Sequence, residues 1–407
     1  MANTLKTVLR KPLTCNLLLR AHNIGLASIY VQDVRHLYSR SALGLDRFEQ
    51  QREKVKTQMS NISDKFREKM VEYSKDETKN MIFTEDLKNM VHLAENDKDI
   101  ELAVNMLKRY NQQNKSLRFG NYIFGPVVMR MFYLHKKTDL ALECFKSEEF
   151  SSIFDQQISF QIMLDMLFEN GQYKDMLEVV ELIAEKQLEG QKYPKNVVVL
   201  ALAACYKLNN AESLDYALTF WSKLSEIGHV PMRRATTFLA GLAFNQGKPD
   251  VALEILASAR NQNYTTVRNL KMAALAEIGR VEEVIPILKS VLNEDVPNRD
   301  RTTLQTFNCD VFERVKQAVQ RRDDPELTLE LNRLEQALQQ QGHLLDKPLE
   351  EQLLAEVQNP RLMTSDRDFR QFEDSRRPRR DFAQRPREFR ERRPRQGWPR
   401  PGLEDLV

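Results

Sequence analysis

The sequence predicts an all-α chain: an α-solenoid of helix–turn–helix repeats with flanking capping helices and a disordered Arg-rich tail. Three observations predict it. A small or aliphatic pair inside an amphipathic pattern recurs at Ala103-Val104, Ala141-Leu142, Met176-Leu177, Ala217-Leu218, Ala252-Leu253 and Val284-Ile285, at spacings of 38, 35, 41, 35 and 32 residues. Such self-similarity is the signature of stacked supersecondary units. Five residues before three of these landmarks stands a glycine (Gly171, Gly247 or Gly279) that closes one helical pattern and opens the next, as a left-handed helix terminator does. Finally, 13 glycines and 15 prolines in 407 residues leave little room for a loop-dominated chain.

Along the chain the elements follow in order. Residues 1–40 carry six Lys/Arg against the single acid Asp33. Lys6, Arg10, Lys11 and Arg20 are interleaved with Leu5, Val8, Leu9, Leu17, Leu18 and Leu19. A cationic amphipathic segment of this kind suits a mitochondrial presequence. Arg20 and His22 interrupt the apolar run that a secretory signal needs, and an ordinary first helix is the alternative. Arg35-His36-Leu37-Tyr38-Ser39 resembles the Arg-containing sites where matrix presequences are trimmed. Within residues 41–83, the stretch 45–75 places Val55, Met59, Ile62, Phe66 and Tyr73 near heptad spacing, which predicts an amphipathic cap on the first repeat, with a dimeric coil as the alternative. Residues 84–299 hold about six repeats. Residues 300–358, with Leu327, Leu331, Leu334 and Leu338, supply helices that cover the last one. A homodimer seam is the alternative there. Residues 359–407 lack an aliphatic pattern and are predicted not to fold alone.

Charge is partitioned. The formal net charge of +3 splits into +5 for residues 1–40, +5 for 361–407 and −7 for the body between them. An anionic partner therefore needs local basic stripes on the body. Arg130, Arg233, Arg234, Arg268 and Lys271 all fall in or beside first helices, where phosphates could run; a plain solvated face is the competing reading. In the tail, Arg376, Arg377, Arg379, Arg380, Arg392 and Arg393 alternate with Phe369, Phe372, Phe382, Phe389 and Trp398. Arginine with aromatics suits an auxiliary, non-specific RNA contact; a solvated tail without a ligand is the alternative.

Other functions are poorly supported. Cys15, Cys144, Cys205 and Cys309 lie far apart, which excludes a disulfide scaffold and a zinc ribbon. No apolar run reaches the about 18 residues of a membrane span. The six histidines show no metal spacing, and no phosphate loop or nucleophile elbow is present. Asp165 and Asp175 are expected at the surface or beside a turn. No enzyme activity, metal or cofactor is expected.

Ile158 to Pro194, Arg234 to Tyr264 and Thr265 to Asn298 share a layout: a polar residue early in the first helix, a turn, a Leu-rich second helix and a closing Pro or polar residue. The Trp, Leu-Gly and Tyr signals of tetratricopeptide units are missing. The units resemble pentatricopeptide repeats of the mitochondrial family. That resemblance implies an RNA-binding protein of the mitochondrial matrix that holds single-stranded mitochondrial RNA, aided by a separate nuclease or RNA-processing protein. It further implies a part in RNA maturation and, through it, in the respiratory chain. It also implies base-facing roles for Gln161, Thr237 and Asn269, each fifteen residues before a landmark, with Asn298 as closing partner of Asn269. At the same offset Lys88, Pro126 and Leu202 depart from the pattern. Solvated or capping residues are the plain alternative for the three, and on the family reading their joint change to alanine weakens RNA binding without moving the melting temperature. A scaffold that binds a peptide or subunit in its groove is the alternative function.

Overall fold

The computed structural model describes residues 36–75, 80–117, 122–150, 152–187, 191–292 and 305–357. The segment 1–35, Asn298 and the whole tail from 358 lie outside the described residues.

Six hairpins run through the middle of the chain. They are α4 (Thr84–Leu93) with α5 (Asp97–Leu117), α6 (Gly125–Leu134) with α7 (Thr138–Lys146), and α8 (Gln157–Glu169) with α9 (Tyr173–Lys186). Then come α10 (Lys195–Leu208) with α11 (Ala211–Glu226), α12 (Arg233–Asn245) with α13 (Pro249–Ala257), and α14 (Thr265–Ile278) with α15 (Val284–Leu292). All six landmarks fall in second helices, and Ala103, Ala141, Met176, Ala217, Ala252 and Val284 are buried. The alanine at four of these positions lets the paired helices approach closely. Gly171, Gly247 and Gly279 have φ of 71°, 69° and 85°, the left-handed turn that ends a first helix. In hairpins without glycine, Lys136 and Asn209 adopt the same conformation at φ of 52° and 45°.

The stack grows through first helices: α6 packs on α8, α8 on α10, α10 on α12 and α12 on α14. Before them, α1 (Arg40–Leu43), α2 (Leu45–Met59) and α3 (Ser63–Tyr73) fold back, α2 against α4 and α6 and α3 against α5. After them, α16 (Cys309–Arg322) stacks on α14 and pairs with α17 (Pro325–Gln341) as a further hairpin. The chain then returns. Strand β1 (Phe307–Asn308) pairs in parallel with β2 (Leu344–Leu345), Phe307 opposite Leu344. The short α18 (Leu349–Leu353) lies against α12 and α14.

This return explains an otherwise odd burial pattern. From Val197 to Tyr206 every residue of α10 is buried, and α8 and α12 are nearly as enclosed. A helix apolar on all sides must be covered on all sides. Neighbouring first helices cover two flanks and the second helices a third. The remaining side is covered by the two ends of the described chain: α1 packs on α8, and α18 on α12 and α14. Among the described residues no helix is long and apolar enough to cross a membrane.

Candidate functional site

The first-helix side is where the predicted base-facing residues fall, and the structure bonds them internally. Gln161 on α8 accepts a hydrogen bond from Asn196 Nδ2 at 2.8 Å, and Asn196 Oδ1 in turn accepts from the Tyr38 hydroxyl at 3.4 Å. Thr237 Oγ1 donates to the carbonyl of Arg234, one turn back, at 3.0 Å. Asn269 is fully buried. Its Nδ2 donates to the carbonyls of Thr265 (2.9 Å) and Thr306 (3.1 Å), and its Oδ1 accepts from the Asn308 backbone N–H at 3.0 Å. The polar edge that Asn269 would offer a nucleobase is thus taken by the chain's own C-terminal segment, whereas Gln161 is bonded by the next first helix and Thr237 by its own.

The five predicted cations also separate. Arg130 Nε donates to the Leu43 carbonyl at 2.8 Å, and its guanidinium lies against Gly44, which turns the chain from α1 into α2 at φ 73°. Burial holds the Arg130 pKa below its ordinary value. Arg268 donates to Asn263 Oδ1 at 3.0 Å. Arg234 Nη1 donates to the Leu353 carbonyl at 3.1 Å, fastening α18 to α12. Lys271 is half-buried on α14. The Arg233 guanidinium lies over the Tyr264 ring, its central carbon 3.7 Å from the ring centroid.

That stacked pair is the wall between two cavities. One, of about 460 Å³, opens between the end of α11, the start of α12 and the turn before α14; Trp221, His229, Thr236, Arg260 and Asn261 line it with Arg233 and Tyr264. The other, of about 220 Å³, is lined by Arg233, Arg234, Thr237, Tyr264, Thr265 and Thr266, with Gln352 and Leu353 of the returning segment. No carboxylate lines either cavity. Of the predicted residues, the structure brings together Arg233, Arg234 and Thr237. Gln161 and Asn269 lie elsewhere along the covered side.

Sequence reasoning missed the polar cluster under the N-terminal strap of residues 36–39, and the structure overturns its placement of Asp165 at the surface. Asp165 is fully buried. Its Oδ1 accepts from the Tyr38 backbone N–H at 3.2 Å and its Oδ2 from the Tyr133 hydroxyl at 3.1 Å. Burial pushes the carboxyl pKa up to about 7 despite these two hydrogen bonds, which favour the charged form. His36 Nδ1 lies 3.1 Å from the Tyr133 hydroxyl and also contacts Glu169. One ligand atom each from His36, Asp165 and Glu169 falls within 4.8 Å of the others. Both Asp165 oxygens already accept hydrogen bonds, so the cluster serves as a polar latch holding the strap on α8. The sequence signal was the run of apolar residues on both sides of Asp165, which leaves no solvated face for it.

No family model matches the sequence. Among curated proteins, the chain is similar to a Homo sapiens protein named pentatricopeptide repeat-containing protein 2, mitochondrial: 29% identical over 301 residues, covering 74% of this chain and 75% of that one. Its counterpart of the same name in Danio rerio is 30% identical over 263 residues, 65% of this chain and 67% of the relative. The one in Mus musculus is 30% identical over 247 residues, 61% and 63% of the two chains. Tandem hairpins of this period and similarity at this level over two thirds of a relative lead to one assignment: the chain belongs to the family of mitochondrial pentatricopeptide repeat-containing protein 2.

Proposed function

We propose that the protein binds single-stranded RNA in the mitochondrial matrix and assists the maturation of mitochondrial transcripts, on which the respiratory chain depends. It would hold an RNA segment unpaired, or mark it for a separate nuclease. One observation carries the reading: Arg233 stacked on Tyr264 between two cavities without carboxylates. A guanidinium held over an aromatic ring supplies phosphate attraction, and its outer planar face offers a stacking platform for an unpaired base. On this reading Arg233 and Arg260 meet phosphates, and Thr237, lining the smaller cavity, is the base-facing residue retained. The tail arginines add a non-specific contact.

A second reading has its own support. The first-helix side already holds other segments of the chain, since the short helix α18 lies along it and Tyr38 and Val357 pair backbone to backbone beside α8. A groove that takes its own ends could take a peptide of a partner subunit. Fluorescence anisotropy with a labelled, unstructured oligoribonucleotide at several salt concentrations separates the two. RNA binding predicts micromolar or tighter affinity that weakens as salt rises. No binding at low salt would discard the RNA reading and leave the peptide groove.

A further inference from the structure

The larger cavity has a composition that the RNA reading does not require, because an internal stretch of RNA can lie on an open surface. This one is a pocket. Its volume of about 460 Å³ falls in the range of sites for small ligands. Trp221 and Tyr264 bring aromatic surface, Arg233 and Arg260 bring positive charge, and no Asp or Glu is among the residues that line it. Among the described residues neither arginine makes an ion pair.

Two further features point to an anion. His229, from the turn between α11 and α12, has its Nε2 buried without a hydrogen-bond partner. Burial and nearby Lys195 hold its pKa below the ordinary value, so near neutral pH it is an uncharged imidazole able to donate one hydrogen bond. The helices that start at the pocket, α12 and α14, have neither a side-chain cap nor an acid in the first turn. They share this with the first helices α6, α8 and α10, whereas the second helices α7, α9, α11 and α13 each carry a first-turn acid. Free first-turn N–H groups favour negative charge.

We propose that this pocket binds a single nucleotide bearing a terminal phosphate monoester, supplied by the end of an RNA chain or by a free mononucleotide. Arg233 and Arg260 take the phosphate, and the base stacks on the Trp221 side. The arginine fork suits a dianionic monoester, which offers more acceptor oxygens than an internal diester. The proposal rests on the RNA-binding reading for its biological source, but its test is separate.

The full chain is titrated by anisotropy with one unstructured oligoribonucleotide in three forms: 5′-monophosphate, 3′-monophosphate, or hydroxyls at both ends. AMP and inorganic phosphate serve as competitors. One phosphorylated form is expected to bind about tenfold tighter than the unphosphorylated one. Arg260→Gln, in an exposed turn, is expected to remove that difference. If AMP alone competes with the phosphorylated form and end phosphorylation gives no advantage, the free nucleotide is the source and the pocket stands. Equal binding of all three forms with no competition by AMP overturns the pocket while leaving RNA binding intact. Competition by inorganic phosphate equal to that of AMP overturns the nucleotide assignment. Failure of every oligonucleotide and of AMP overturns both the pocket and the RNA reading.

Discussion

Tyr38 and Val357, near the two ends of the described chain, form a parallel backbone bridge. The Val357 N–H donates to the Leu37 carbonyl at 2.8 Å, and the Ser39 N–H donates to the Val357 carbonyl at 3.2 Å. The bridge lies beside α8, where the Tyr38 N–H also reaches Asp165. Hydrogen bonds alone would contribute little here, about 1 kcal/mol each. The apolar anchor beside them contributes more, since Leu37 is fully buried.

Leu37→Ala is therefore expected to destabilise the fold by about 2–4 kcal/mol, the usual cost of emptying a buried leucine site. Urea unfolding followed by circular dichroism checks it. A midpoint that does not move would show that the N-terminal strap is not fastened in solution.

Asp165 gives a pH prediction with a definite sign. Its folded pKa of about 7 lies above the ordinary carboxyl value of 3.8. Between those values the folded chain holds a proton that the unfolded chain has released, so stability falls as pH rises from about 4 through 7. The slope approaches about 1.4 kcal/mol per pH unit for one proton. His36, Glu169, Tyr38, Tyr133 and Glu356 face the same cluster, and burial of His36, whose pKa is lowered, acts in the opposite sense below its ordinary value. Comparison with Asp165→Asn, an isostere of the neutral acid, isolates the carboxyl. The variant is expected to show a flatter stability curve over this range; parallel curves would contradict the assignment.

Asn269→Ala tests whether that side chain serves the fold. Removing it leaves the buried Asn308 N–H and the Thr306 carbonyl without their partner. An unsatisfied buried group costs about 1–3 kcal/mol. The expected outcome is a lower melting temperature, together with faster hydrogen exchange at the Asn308 amide. This reverses the sequence-based expectation that changing Gln161, Thr237 and Asn269 leaves melting untouched.

Arg233→Ala is expected to weaken single-stranded RNA binding with circular dichroism unchanged, because its guanidinium stacks on Tyr264 without an ion pair. Loss of one phosphate contact lowers the slope of log affinity against log salt by about 0.7. An unchanged slope would remove Arg233 from the interface.

The hairpins were legible because their determinants are local and periodic. The landmark pairs and Gly171, Gly247 and Gly279 fix where helices pair and turn. Lys136 and Asn209 hid two further turns, since neither residue type announces a positive φ as glycine does. The covered side was illegible for a different reason. A polar residue such as Asn269 reads the same whether it faces a ligand or its own chain, and the partner here lies on a distant two-residue strand too short to carry a pattern. Arg130 and Arg234 misled similarly, since a cation bonding a backbone carbonyl has the sequence appearance of one waiting for phosphate. Asp165 was misplaced because a buried acid requires donors, and its donors come from Tyr38 and Tyr133, far away in sequence.

An untied helical array stretches like a spring and frays one unit at a time. Fastening Tyr38 to Val357 across one flank removes that elasticity. Terminal units can then peel only after the tie has broken, so a mechanical load or a protease should meet one shared barrier where a free-ended array would offer a series of small ones.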